Sequence, residues 1–382
     1  MRCGYRPKTG LGSALLVLLL TLLASWAFAA NLASPADSAE NVPSYHARLA
    51  RPHPIIAVAG QTRGTETTDY LVPYGVLAQS GAAQVIALGT QAGPIQLMPA
   101  LKIEPQATIA EFDARFPGGA DYVIVPAVHE PDDATLVDWV RAQAHKGAVI
   151  VGVCDGVWVV ANAGLLNGRR ATGHWYSLER LEHKFSDTRW VRNRRYVADG
   201  SVVTTTGVTA SIPVSLALVE AIAGRDRATE VANELGARDW SAAHNSNDFA
   251  LNYGYVLTAA NNELSFWSHE KVGVPVSTGV DEIALALVAD AYSRTYRSQA
   301  VSVSDSQAQI LTRRGLHLLP DVAVRTSRVP DRVLPRFDSI PPVQALDWAL
   351  DGIAEAYGEP TAAFVALQIE YPEGSVSKSA SP

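Results

Sequence analysis

Short apolar runs separated by helix-length segments constrain this chain more than any other feature. Ile55-Ile56-Ala57-Val58-Ala59 ends at Gly60, and runs of the same kind recur at residues 84–88, 122–125 and 148–151. Each has the length of a strand buried on both faces. Between them, residues 69–79 and 132–145 have helical length, and Ala134, Val137, Val140 and Ala144 keep helical spacing. This alternation predicts a mainly parallel sheet covered by helices on both faces, a three-layer α/β sandwich of the flavodoxin-like type. Farther on, residues 195–197 and 202–205 flank Asp199-Gly200, which reads as a hairpin turn. A helix over 210–222, stopped by Gly224, closes the unit. With 48% hydrophobic residues in 382, the chain can bury a large core and divide into two domains.

Residues 1–29 read as an export signal: Arg2, Arg6 and Lys8 precede the apolar stretch 15–23, and Ala27-Phe28-Ala29 offers a cleavage site. Uncleaved, the segment would anchor the chain in a membrane; either way the folded part is expected outside the cytoplasm, periplasmic or secreted. Residues 30–50 read as a linker, 51–228 as the α/β domain, and 229–382 as a smaller, diverged α/β domain. Three echoes make the last a degenerate repeat. Residues 69–77 resemble 282–291, 85–88 resemble 300–303, and Leu101-Lys102-Ile103-Glu104-Pro105 resembles Leu316-His317-Leu318-Leu319-Pro320. The second half has no cysteine.

Cys3 lies in the presumed signal, so the mature chain keeps one thiol, Cys154, and forms no internal disulfide. Its setting is Gly152-Val153-Cys154-Asp155-Gly156, after an apolar run and before a helix-like stretch at 157–166. Small residues between strand and helix permit the tight turn of a nucleophile elbow. The helix after it would aim free N–H groups and the positive end of its dipole at the sulfur, favouring thiolate. A buried, inert thiol is the competing reading. The best candidate for a partner base is His174, returned toward the elbow by a reversal at Leu166-Asn167-Gly168; a hydrogen-bonded structural histidine is its alternative.

Taken together, four blocks resemble the ThiJ/PfpI superfamily, which is related to class I glutamine amidotransferases and includes the parkinsonism-associated deglycase and the isonitrile hydratases. They are Gly64-Thr65-Glu66-Thr67-Thr68-Asp69-Tyr70-Leu71-Val72-Pro73, Tyr122-Val123-Ile124-Val125-Pro126, the elbow itself, and residues 164–175 ending in Thr172-Gly173-His174-Trp175. The resemblance implies that Cys154 is the reactive cysteine, His174 its nearby histidine, and Asp69 the acidic side chain that contacts the sulfur. A protonated Asp69 could donate to a thiolate, whereas an ionised one would repel it; a helix N-cap is the structural alternative. The resemblance also implies that backbone N–H groups at Asp155 and Ala127 hold a developing oxyanion, Ala127 only if its local backbone allows it. Ala127 replaces a glycine common in relatives, Trp175 and Tyr176 follow His174 where amidotransferases have His-x-Glu, and Asp155 replaces the histidine that PfpI proteases place after the cysteine. Glutaminase and protease activities are thereby disfavoured.

The expected function is cysteine-dependent hydrolysis or hydration of a small electrophilic substrate, isonitrile hydratase-like or deglycase-like. Non-catalytic ligand binding, or redox sensing by Cys154, is the alternative. A net charge of -7 argues against a nucleic-acid partner. The cluster Arg189, Arg192, Arg194 and Arg195 reads as a solvated face, and no recognition-helix pair supports an AraC-type regulatory role. His129-Glu130 reads as a loop, and Trp240, His244, Asn245, Asn247 and Asp248 as a loop that covers the pocket or joins domains. No metal-binding spacing, P-loop or dinucleotide fingerprint is present, so no cofactor or metal is expected. The expected partner is a small-molecule substrate or ligand; membrane contact requires an uncleaved N-terminal segment, and homodimerisation is left open.

Overall fold

All four apolar runs form strands of one sheet. The computed structural model describes residues 40–51, 53–324 and 330–372; the N-terminal signal or anchor lies outside them. In chain order the first half contains β1 (Ile55–Gly60), α1 (Thr67–Ser80), β2 (Gln84–Gly89), β3 (Ile95–Met98), β4 (Lys102–Glu104), β5 (Ala107–Thr108) and α2 (Ile109–Arg115). It continues with β6 (Tyr122–Val125), α3 (Ala134–His145), β7 (Val149–Gly152), α4 (Val157–Asn162), α5 (Trp175–Lys184), β8 (Tyr196–Asp199), β9 (Val202–Thr205), α6 (Ser211–Ala223) and α7 (Arg225–Leu235). The sheet runs β8-β9-β7-β6-β1-β2-β5. Every neighbouring pair is parallel except the hairpin β8–β9. β1 and β6 are buried at every position, which explains their unbroken apolar sequence. One core lies on each side of the sheet: α1 and α6 pack on one face, α3 and α4 on the other.

Three local expectations are corrected. Helix α1 begins at Thr67 with Glu66 as its N-cap, whose carboxylate accepts from the Asp69 N–H at 2.6 Å, so Asp69 lies in the first turn. The helix after the elbow ends at Asn162, where the chain turns through Gly164. The linker expected over 30–50 is strapped to the fold from Glu40 onward. Glu40 pairs with Arg170 and accepts from the Ala198 N–H, Tyr45 donates to the Ala221 carbonyl, and Arg51 meets Asp121 at 3.1 Å.

The second half contains α8 (Tyr253–Leu264), β10 (Glu270–Pro275), α9 (Glu282–Ser293), β11 (Ser298–Ser304), β12 (Ile310–Leu311), β13 (His317–Leu318), β14 (Val322–Ala323), β15 (Arg332–Val333), α10 (Ala345–Tyr357) and α11 (Glu359–Gln368). Its parallel sheet has the order β14-β11-β10-β15. This matches β5-β2-β1-β6 strand for strand. Helix pairs follow in both halves, α6–α7 joined at Gly224 (φ 86°) and α10–α11 at Gly358 (φ 90°), a left-handed turn suited to glycine. From β15 the chain passes through residues 334–344 directly to α10. No counterpart of β7 or the elbow stands between them among the described residues.

Two of the contacts that join the halves are made by whole elements. Helix α1 packs on α9 so closely that a Cβ on Gly75 would lie 2.5 Å from Ile283 Cγ1. Strands β4 and β13 pair antiparallel, placing Ile103 opposite Leu318, in a small five-stranded sheet that runs β12-β13-β4-β3 and ends on the two-residue strand Thr65–Glu66.

Candidate functional site

The elbow follows from its spacing. β7 ends at Gly152, the Val153 N–H bonds to the Val125 carbonyl at 2.9 Å, and Cys154 then adopts φ 53°. A non-glycine residue in that left-handed region is held there at a cost of about 1–2 kcal/mol. The following turn presses against the end of β6. A Cβ on Gly156 would stand 2.0 Å from the Val125 carbonyl oxygen, so only glycine fits. The Cys154 N–H donates to Thr205 Oγ1 at 3.0 Å, tying the elbow to β9. The free thiol is 6% exposed.

Asp69 is fully buried. Its Oδ2 accepts from the Ala127 N–H at 3.1 Å, and its Oδ1 is buried with no hydrogen-bond partner among the described residues. Burial pushes this carboxyl up to about 8, against the pull of the Ala127 N–H and the Arg294 guanidinium. Asp69 therefore holds its proton at neutral pH, and with Oδ2 occupied the proton belongs on Oδ1. The thiol is also raised well above its ordinary value, first by burial and then by the charges of Asp69, Asp155 and Glu66. The Asp155 N–H pulls the other way without prevailing. The expectation that the helix dipole would favour thiolate is thus overturned: α4 has six residues, and burial of the sulfur, with its acidic neighbours second, outweighs it.

Sequence reasoning missed the cation of this site. Arg294, at the end of α9, donates through Nε to Asp290 Oδ1 at 2.6 Å and through Nη2 to Glu66 Oε1 at 2.7 Å. Thr68 Oγ1 donates to Asp290 Oδ2 at 3.1 Å. Glu66 is raised well above the carboxylate range, by burial first and then by Asp290 and Asp69. Arg294 is held charged against its burial by Asp290 first and then Glu66, and Cys154 adds to this once its thiol ionises. One guanidinium from the second half therefore faces Glu66, Asp69, Asp290 and the thiol. The echo between 69–77 and 282–291 was the available signal, since it sets α9 against α1.

The remaining candidates separate. His174 is the N-cap of α5. Its Nδ1 accepts from the Tyr176 N–H at 3.3 Å, which leaves Nε2 to donate to the Gln368 carbonyl at 3.0 Å. Both nitrogens are engaged, and no hydrogen bond to Cys154 is present among the described residues. Asp155 turns its side chain away to accept from Ser177 Oγ at 2.9 Å, while its N–H serves the sulfur. Ala127's N–H, expected at an oxyanion, is taken by Asp69. His129 and Glu130 lie in a loop whose N–H groups bond to the Gly64 carbonyl and Gln61 Oε1. Arg189, Arg192 and Arg195 meet Asp199, Glu182 and Asp239. The His244 side chain is buried, stacked on Phe249, with Nε2 3.2 Å from Glu370 Oε1.

An elbow cysteine at the carboxyl end of this parallel sheet defines a flavodoxin-like α/β protein of the nucleophile-elbow class. Within that class the chain belongs to the DJ-1/PfpI family, whose model matches residues 56–221. Isonitrile hydratase of Pseudomonas putida is 32% identical over 171 residues, covering 44% of this chain and 72% of the hydratase. The HTH-type transcriptional regulator CdhR of Pseudomonas aeruginosa is 34% identical over 117 residues, which are 30% of this chain and 34% of the regulator. The crystal structure of Drosophila melanogaster DJ-1beta aligns at 20% identity and TM-score 0.44, covering 49% of this chain and 100% of that one.

Proposed function

We propose that this protein hydrates or hydrolyses a small electrophilic carbon compound, with Cys154 as nucleophile and Asp69 as the proton-carrying group. The observation that carries this reading is a left-handed elbow cysteine beside a buried carboxyl that keeps its proton at neutral pH. An isonitrile is the first substrate to test, because a hydratase of isonitriles is 32% identical to this chain over 171 residues. In that reaction the sulfur bonds to the terminal carbon, which takes the Asp69 proton, and the thiol proton replaces it on Asp69. Water then adds to the thioimidate carbon and the carbon–sulfur bond breaks. The nitrogen and the sulfur end protonated, and the product is the N-substituted formamide. The Asp155 N–H offsets negative charge on the sulfur during both steps.

The test is formamide production from an isonitrile, beside lactate-type products from an α-dicarbonyl. Cys154→Ser is expected to lower the active reaction by on the order of 10³-fold or more, and Asp69→Asn by about 10²–10⁴-fold. A thiol that is oxidised by peroxide while neither substrate turns over would overturn this reading and establish a sensor instead.

A further inference from the structure

We propose that the cavity between α5, α8 and α11 is the binding site for an uncharged electrophile with a bulky apolar body, an aryl compound for example, whose carbonyl-like acceptor docks on Arg294. The inference rests on the function proposed above and names its substrate class. The cavity measures about 410 Å³. An apolar cavity of about 150 Å³ holds a benzene, so there is room for a ring and its head group. Trp175, Tyr255, Tyr296 and Phe364 line it together with the aliphatic Leu251 and Val256. Tyr296 meets Phe364 edge-on at 5.4 Å, and Tyr255 lies 6.4 Å from the same ring. These walls fit a flat apolar body. At the rim Leu251 and Val256 are 49% and 51% exposed, an apolar mouth open to solvent.

The polar groups of the lining decide the head group. The Trp175 indole N–H donates to the Leu367 carbonyl and the His174 Nε2–H to the Gln368 carbonyl, both at 3.0 Å. The Gln368 amide N–H groups reach the carbonyls of Arg294 and Phe364. Arg294 is the one Asp, Glu, Lys or Arg residue in the lining. Its Nε and Nη2 are held by Asp290 and Glu66, its side chain keeps 21% exposure, and Nη1 has no partner among the described residues. A guanidinium already matched by two carboxyl groups, with Asp69 close behind, offers a donor but little uncompensated charge. With Asp69 holding its proton and Glu66 raised, Asp290 already balances the guanidinium, so an incoming carboxylate would bury an unmatched negative charge; a neutral acceptor would not. Arg294 also lies within electrostatic reach of Cys154, which makes it the residue of this lining that is coupled to the thiol.

The experiment measures binding to full-length Cys154→Ser protein by Trp fluorescence and calorimetry, with unreactive probes: benzamide, benzoate and acetamide. Benzamide is expected to bind at least about tenfold more tightly than either of the others, the ratio that about 1.4 kcal/mol produces. Ala259→Trp, which fills the cavity from α8, is expected to abolish benzamide binding while circular dichroism and thermal midpoint stay near those of the parent. Benzoate binding as tightly as benzamide, acetamide matching benzamide, or benzamide surviving Ala259→Trp in a folded protein would each overturn the proposal. Because the probes need no thiol, a negative turnover assay on wild type leaves these measurements intact, and the two readings fail separately.

Discussion

At the scale of single residues, Asp69 decides how this site behaves with pH. Its folded value near 8 exceeds the unfolded value of about 3.9, so the folded state retains a proton that the unfolded state releases. Stability from this group is complete below pH 4 and is lost as pH rises toward 8. The slope reaches about 1.4 kcal/mol per pH unit. Asp69→Asn should flatten that decline in denaturant titrations run between pH 5 and 8. A variant whose pH profile parallels wild type would show that Asp69 ionises freely in the folded protein. The same residue explains why Ala127 cannot act as first expected: its N–H serves the acid that serves the thiol.

At the scale of elements, the end of α9 and the start of α1 are held together by Arg294. Removing the guanidinium leaves Glu66 and Asp290 buried without their cation, so Arg294→Met should destabilise the fold by about 3 kcal/mol. Adding Glu66→Gln should recover part of that loss, which a double-mutant cycle measures. A double variant whose loss equals the sum of the two single losses would show that the ion pair contributes nothing. This contact also marks where the sequence stops being readable. The elbow was legible because strand, turn and helix are consecutive, and Gly156 is required by a strand end just before it in the sheet. Glu66 and Arg294 meet across 228 residues, and no local pattern announces such a pairing. His174 shows the converse. Its place before α5 was readable, but its capping role depends on Tyr176, and its Nε2 on the end of a helix far along the chain.

At the scale of the molecule, the second half repeats the order of four strands and a helix pair while lacking the elbow, and its α9 covers α1. Nearly every residue of α1 is buried, including Gly75 against Ile283. A chain ending at Gly236 would expose that face, and size-exclusion chromatography should show it associating or precipitating where the full chain does not. A truncated chain that stays monomeric with an unchanged thermal midpoint would mean that α9 is dispensable to the first half. The covering half also changes the terms on which the site is assembled. Where two separate copies meet, a neighbouring charge is present only in proportion to how often the copies are together; here Arg294 and Cys154 share one backbone, and dilution cannot part them.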